Sequence, residues 1–188
     1  IVEALGAFDV ALWDLAAKAA GVPLYKHLGA YRDKVPAYAS TFTQETVEDY
    51  EPLARDCVER GYKAIKLHAF GDVQKDIEAC RLVRETVGDD IELMLDASAA
   101  YTYEEALWAG RELEKLNFYW LEEPIRDYET TGLQELHRRL EIHLCVAETG
   151  WDSLYDVANH IAQKTGRMIH STWSRKGGIT GLLKIAHT

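Results

Sequence analysis

The chain has 188 residues, 47% hydrophobic and 28% charged, with 21 Lys and Arg against 31 Asp and Glu for a formal net charge of −10. At this length one domain with a real core is the default, since such chains bury roughly 70% of the surface their unfolded form exposes. The acid excess argues against nucleic acid or a membrane surface as the main partner, because both need clustered Lys and Arg, and no apolar run approaches the ~20 residues of a membrane span.

The first residues, Ile1-Val2-Glu3-Ala4-Leu5, carry no initiator Met, basic stretch or small-residue cleavage site, so they do not read as a signal peptide; the chain reads as starting mid-protein. Leu5, Phe8, Leu12, Leu15 and Ala19 recur at helical spacing, which predicts an amphipathic helix over 3–20, stopped by Gly21 and Pro23 and followed by a loop. From Lys34 on, short β-rich runs alternate with helical segments. The strands predicted are 35–40, 64–68, 91–98, 118–124, 143–148 and 167–172. The helices predicted are 45–60, 73–87, 103–116, 131–140, 153–164 and 180–187. Such alternation implies right-handed βαβ units and a parallel sheet. Cys57, Cys80 and Cys145 are odd in number and match no zinc or redox spacing, which favours a reducing, cytoplasmic setting over a disulfide framework.

Ser40, Lys66, Asp96, Glu122, Glu148 and Thr172 stand at or near the strand ends, at offsets of 26, 30, 26, 26 and 24. A near-constant period puts equivalent positions of successive βα units on one rim, and in (β/α) barrels the C-terminal rim is where catalytic groups converge. The strand period of two gives Lys66 and His68 one face, Met94, Asp96 and Ser98 another shared face, and His170 the face of Thr172. Trp120 shares Glu122's face as packing, whereas Glu123 points the other way.

Asp96, Glu122 and Glu148 each follow an apolar or aromatic run, and carboxylates emerging from buried strands are costly unless a positive group meets them. Singly, each acid is more simply read as a helix cap or the partner of a surface lysine. Three at one period suit a hard divalent cation, and Mg²⁺ fits better than zinc because no His or Cys belongs to the set. Lys66, partly desolvated near such a cation, is expected to have its ammonium form disfavoured and to move towards the range of a general base; its simpler reading is a counter-ion to the acids. His68 titrates near neutrality unaided. Gly177-Gly178 before a helix is a weak phosphate-cradle signal, more simply explained by backbone geometry.

The stretches Phe8–Leu15, Gly21-Val22-Pro23-Leu24-Tyr25, Val35-Pro36-Ala37-Tyr38-Ala39-Ser40, Gly61-Tyr62-Lys63-Ala64-Ile65-Lys66-Leu67-His68, Leu95-Asp96-Ala97-Ser98, Trp120-Leu121-Glu122-Glu123-Pro124, Val146-Ala147-Glu148 and Gly177-Gly178-Ile179-Thr180 resemble the enolase superfamily, in its mandelate racemase/muconate-lactonizing branch. The resemblance implies an α/β fold, a parallel TIM-type barrel of which about six of eight βα units are present in 35–188, with 1–34 as the connection from an N-terminal capping domain. It also implies Asp96, Glu122 and Glu148 as ligands of one Mg²⁺. Lys66 would match the first lysine of the family's K-x-K pair, near the substrate carboxylate, and His68 the second, which usually serves as a base. Beyond the resemblance, Ser40, Ser98 and Thr172 are further candidates to touch substrate or support the ligands, as are Glu123, in a supporting role at most, His170, more simply a core or hydrogen-bonded histidine, and Trp151, equally readable as a loop anchor.

The implied chemistry is abstraction of the proton α to a carboxylate through an enediolate. Dehydration of a sugar acid is favoured over racemisation, epimerisation or cycloisomerisation. Three departures bear on this. His68 replaces a lysine. Thr172 stands where the mandelate-racemase pattern has the Asp that orients a catalytic His, and threonine cannot stabilise imidazolium charge. The sequence stops at Thr188, short of the strand expected to carry that His, whereas a closed barrel takes about 250 residues. A truncated, non-catalytic barrel is therefore the alternative of another class. The full-length protein is expected to bind a small carboxylate, not nucleic acid or membrane, and to assemble as a homo-oligomer.

Overall fold

A computed structural model describes residues 2–150 and 154–188. In chain order its elements are α1 (Val2–Ala19), α2 (Leu24–His27), β1 (Ala39–Ser40), α3 (Tyr50–Glu59), β2 (Ala64–His68), α4 (Val73–Val87), β3 (Glu92–Asp96), α5 (Tyr103–Lys115), β4 (Trp120–Glu122), α6 (Thr130–Arg139), β5 (His143–Val146), α7 (Leu154–Gln163), β6 (Met168–Ile169) and α8 (Gly178–Ala186). Among the described residues no helix is long and apolar enough to cross a membrane. The chain divides into two compact units, one of Ala37–Val146 with Gln163–Ile169, the other of Ile1–Pro36, Ala147–Ala162 and His170–Thr188.

The first unit holds a six-stranded sheet in the order β1-β2-β3-β4-β5-β6, every neighbouring pair parallel, as the alternating pattern predicts. Alternation along each strand sorts the side chains onto two faces. Ile65, Leu67, Leu93, Leu95, Leu121 and Leu144 share one face and are almost wholly buried; Ile65 and Leu67 line a small cavity there with Leu53 and Ala54 of α3 and Val83 of α4. The other face carries Lys66, His68, Met94, Asp96, Trp120 and Glu122. The register pairs His68 with Asp96 and Asp96 with Glu122, while Lys66, Met94 and Trp120 align one step below.

The helices of this unit start on side chains that satisfy their free N–H groups. Asp72 accepts from Gln74 N and Lys75 N at the head of α4. Thr102 and Glu105 form a reciprocal capping box at α5. At the end of α4 Gly88 takes φ +73, a left-handed conformation that a Cβ would disfavour.

The strands end earlier than the hydrophobic pattern predicts. Ser98 (φ 49), Ala99 (φ 59), Glu123 (φ 39) and Ala147 (φ 76) adopt positive φ, which breaks the pleat just beyond Asp96, Glu122 and Val146. The first strand pairs only over Ala39–Ser40, because β1 is an edge with one neighbour. The helix expected over 45–60 begins at Tyr50: Thr46 and Asp49 form a turn in which Asp49 Oδ2 accepts from Thr46 N and Oγ1. All three cysteines are free and buried.

The second unit contains α1, α2, α7 and α8. Here α1 departs from its amphipathic reading: Leu5, Phe8, Leu12 and Leu15, the face expected to be buried, are 60–72% exposed, while Gly6 and Ala17 are buried. The loop expected after α1 contains the one-turn α2. α1 instead joins α8 through polar contacts. Asp9 Oδ2 accepts from Thr180 N at 2.9 Å, Asp9 Oδ1 from Thr180 Oγ1 at 2.6 Å, and Trp13 Nε1 donates to Thr180 Oγ1 at 2.9 Å.

Candidate functional site

On the polar face of the sheet, alternation and register bring four of the expected residues together. The side chain of Lys66 rises from β2, one step below the acids in register, and its buried Nζ lies 2.9 Å from Asp96 Oδ2 and 2.9 Å from Glu122 Oε2. His68 ends the same strand with Nε2 3.3 Å from Asp96 Oδ2. Beneath lies an apolar layer of Met94, Trp120 and Cys145, flanked by Tyr38, Ala64 and Met168. The ion pairs are therefore shielded from water on that side, where charge interactions are strengthened.

Further groups fix the carboxylates. Ser98 donates to Asp96 Oδ1 from its backbone N at 3.0 Å and from Oγ at 3.2 Å, leaving Oδ2 for the cationic groups. Ser98 reaches Asp96 from a turn, not from the shared strand face expected of it. Trp120 Nε1 donates to Glu122 Oε2 at 3.1 Å, so this side chain adds a directed hydrogen bond to the packing role read from sequence. The Tyr38 ring centroid lies 5.8 Å from Lys66 Nζ and 5.5 Å edge-on from the Trp120 ring. The signal for Trp120 was available: an N–H donor two residues before a strand-end acid shares its face.

The charges of this cluster act on one another. Burial is the largest single influence on Lys66 and pulls its pKa down, but the hydrogen bonds and charges of Glu122 and Asp96 outweigh it and hold the ammonium above the ordinary lysine range. Two carboxylates meet one ammonium, so Lys66 stands here as their counter-ion. Asp96 is the complement: burial pushes its carboxyl up, while His68, Lys66 and the Ser98 N–H together hold it well below the usual carboxylate range. His68 is raised, first by its hydrogen bond to Asp96, against the opposing effects of burial and Lys66. The Cys145 thiol is pushed up by burial and is not poised to react.

Glu123 is buried, and its φ of +39 means that strict strand alternation does not govern its direction. Its backbone N donates to Cys145 O at 2.9 Å and its O accepts from Ala99 N at 2.7 Å, which ties the turn after β4 to its neighbours. Ser40 ends the edge strand in register with Lys66 and is exposed.

The remaining candidates lie in the second unit. Glu148 follows the end of β5 by two residues, so it is not a strand residue as expected; its Oε2 lies 3.3 Å from His170 Nδ1. Thr172 likewise lies beyond β6, in a turn where its carbonyl accepts from Arg175 N and Lys176 N and its hydroxyl lies 3.4 Å from Ser174 Oγ. Lys176, not anticipated from sequence, is buried and donates to Gly150 O at 2.9 Å. Trp151 lies outside the described residues. The phosphate reading of Gly177-Gly178 does not hold, because the Asp9 carboxylate takes the start of α8. Gly178, at φ +81, leaves room there that a Cβ would fill.

Two carboxylates converging on the Lys66 ammonium are a donor set that fits a cation, and their all-oxygen chemistry suits a hard one. Beside them stands a histidine whose hydrogen bond to Asp96 favours its protonated form.

Residues 49–188 match the family model described as "Enolase C-terminal domain-like". Arabinonate dehydratase of Saccharolobus solfataricus is 33% identical over 99% of this chain and 51% of its own length. Among solved structures, D-glucarate dehydratase from Agrobacterium tumefaciens complexed with magnesium superposes with TM-score 0.95 at 39% identity, covering 100% of this chain and 52% of that one. L-talarate dehydratase from Polaromonas complexed with Mg and L-glucarate gives TM-score 0.90 at 34% identity, over 99% and 53%. Other relatives are named as epimerases, cycloisomerases and a racemase. The chain spans about half the length of these proteins, and its six parallel βα units correspond to part of their barrel. With the matched model, the near-complete superpositions and a strand-end acid pair built on the expected residues, the chain belongs to the enolase superfamily, in its mandelate racemase/muconate-lactonizing branch.

Proposed function

We propose that this chain carries the cation-binding and acid–base side of a sugar-acid dehydratase. The observation that carries the reading is the buried cluster in which Asp96 and Glu122 converge on a cationic group with His68 alongside. In this reading Asp96 and Glu122 hold Mg²⁺, and Glu148, two residues past the strand next to β4, supplies the third carboxylate. The metal, when bound, supplies a Lewis acid that stabilises charge developing on the substrate carboxylate.

The protein's own groups do the rest. Lys66 is the positive partner of the substrate carboxylate. His68 moves a proton at Nε2: the α C–H bond breaks with its proton passing to a base, the β C–O bond breaks as the departing hydroxyl takes a proton and leaves as water, and the resulting enol loses its O–H proton and gains one at the β carbon, giving a 2-keto-3-deoxy acid. Ser98 and Trp120 hold the two acids in place. Residues 1–34 are read as the connection from a capping domain, and the assembled protein as a homo-oligomer in a reducing cytoplasm. Dehydratases acting on arabinonate, glucarate and talarate among the relatives support the sugar-acid class.

The test uses the full-length protein with Mg²⁺ in D₂O, following α-proton exchange and product formation by NMR with D-glucarate, D-arabinonate and galactarate. Exchange and a 2-keto-3-deoxy product are expected with at least one acid, and His68→Gln is expected to cost about a hundredfold or more. Exchange yielding only the epimer would move the reading to the isomerases. No exchange with any acid in the presence of bound Mg²⁺ would sink it in favour of a non-catalytic barrel fragment.

A further inference from the structure

The loop that follows His68 is fastened by a buried polar network outside the cation cluster. Asp76, in the first turn of α4, is 1% exposed. Its Oδ1 accepts from Phe70 N at 2.6 Å and its Oδ2 accepts from Tyr101 Oη at 2.8 Å. Tyr101, itself buried, lies in the loop after β3, and its backbone N donates to Pro124 O beyond β4 at 3.2 Å. One carboxylate–phenol pair thus connects the loops that follow β2, β3 and β4.

A second set of contacts holds the same loop from α3. Tyr50 Oη donates to the carbonyl of His68 itself at 2.6 Å, and the Tyr50 and Phe70 rings meet edge to face at 5.7 Å. Lys75 Nζ lies 3.5 Å from the Phe70 ring centroid and donates to Glu45 O at 3.3 Å. Ala69 N donates to Asp96 O at 2.9 Å. The residues on either side of the His68 Cα therefore have their backbone groups assigned to fixed partners.

Helix capping does not explain Asp76. Asp72 already serves the first turn of α4, and burying a carboxylate costs free energy that an apolar side chain in its place would not; burial indeed pushes the Asp76 carboxyl above its ordinary range. What the pair supplies is directional: two rigid acceptors and a phenol fix where the chain goes immediately after the imidazole.

We propose that Asp76 and Tyr101 are positioning residues, which hold the turn after β2 so that the imidazole of His68 keeps its place beside Asp96. This rests on the reading of His68 as an acid–base group. Loss of either residue should change the rate of proton transfer at His68 without changing cation binding, because neither touches the carboxylates on Lys66.

The test is Tyr101→Phe in the full-length protein with Mg²⁺, which removes one hydroxyl and no packing volume, with Tyr50→Phe as a second variant should the first not fold. Three quantities are measured below the melting temperature: α-proton exchange of D-glucarate or whichever acid the parent exchanges, Mg²⁺ affinity by calorimetry, and amide hydrogen exchange at Phe70 and Gly71. The expected result is a fall in kcat of about tenfold to a hundredfold with KM within about twofold, unchanged Mg²⁺ affinity, and lost protection at Phe70. Parent-like kcat, or a loss matched by an equal loss of Mg²⁺ affinity, would overturn the proposal. His68→Gln run in parallel separates the two ideas: full exchange in that variant defeats the acid–base reading itself, whereas an inert His68→Gln beside an unimpaired Tyr101→Phe defeats only the positioning role.

Discussion

The two faces of the sheet are written by alternate residues of the same strands, yet they are stabilised in opposite ways. One face repeats a single chemistry: Ile65, Leu67, Leu93, Leu95, Leu121 and Leu144 are all nearly inaccessible, and each contributes by leaving water. The other mixes Lys66, Asp96 and Glu122, equally buried, with Met94 and Trp120. Each charged member there is tolerable only because the others are present. The apolar face is additive and forgiving of shape-conserving change; the polar face is conditional, since removing one group strands the rest.

The largest effect should come from breaking that condition. Lys66→Met leaves Asp96 and Glu122 buried without their shared cation, and unfolding by urea should show a loss of about 3–5 kcal/mol. Under the proposed function Mg²⁺ replaces the missing positive charge, so adding it should recover much of the loss through binding to the native state alone. A variant as stable as the parent without metal, or one that Mg²⁺ leaves unchanged, would mean that the two acids do not depend on a cation.

Leu95→Ala makes the corresponding cut on the apolar face. The expected cost overlaps in size, about 2–5 kcal/mol for a buried leucine truncated to alanine, but Mg²⁺ should raise parent and variant equally, leaving the difference between them in place. The same truncation at Leu12 of α1, which is 64% exposed, should cost less than about 0.5 kcal/mol in the same unfolding assay. If Leu12→Ala matched Leu95→Ala, the exposed side of α1 would be buried in the protein under assay.

The polar face was largely legible because strand alternation is a strict rule while a strand lasts. Asp96 and Glu122 follow apolar runs, and Lys66 and His68 fall two residues apart, so their common face could be read directly. Reading failed where the pleat stopped. Ser98, Ala99, Glu123 and Ala147 take positive φ without being glycine, and nothing in their side chains announces it, so strand alternation does not give the direction of Glu123, and the hydrophobic pattern runs past the strand ends to Glu148 and Thr172. For Lys66 the limit is different: spacing shows which acids are near but not that both reach one nitrogen. For α1, periodicity identified the helix and its apolar stripe, but which side is covered depends on tertiary partners that a single helix does not encode.

Two histidines of this unit, one on the polar face and one on a helix, are also treated differently, and this offers the smallest but cleanest test. On the polar face His68 is raised by Asp96. On α6, His137 is lowered, first by burial and then by the nearby charges of Arg167 and Lys164, and its Nδ1 is buried without a hydrogen-bond partner. A histidine whose folded pKa lies below its unfolded value binds fewer protons in the native state, so it takes stability away as pH falls through about 6.5 towards the folded pKa. His137→Gln removes that proton linkage, and the slope of unfolding free energy against pH between about 7 and 5 should become shallower, with little change above pH 7.5. Native-state NMR titration of the His137 ring should place its midpoint below the usual histidine value. A midpoint at or above it, or a pH slope that His137→Gln leaves untouched, would show that the imidazole gains no charge penalty from its surroundings, and that the contrast with His68 comes from Asp96 alone.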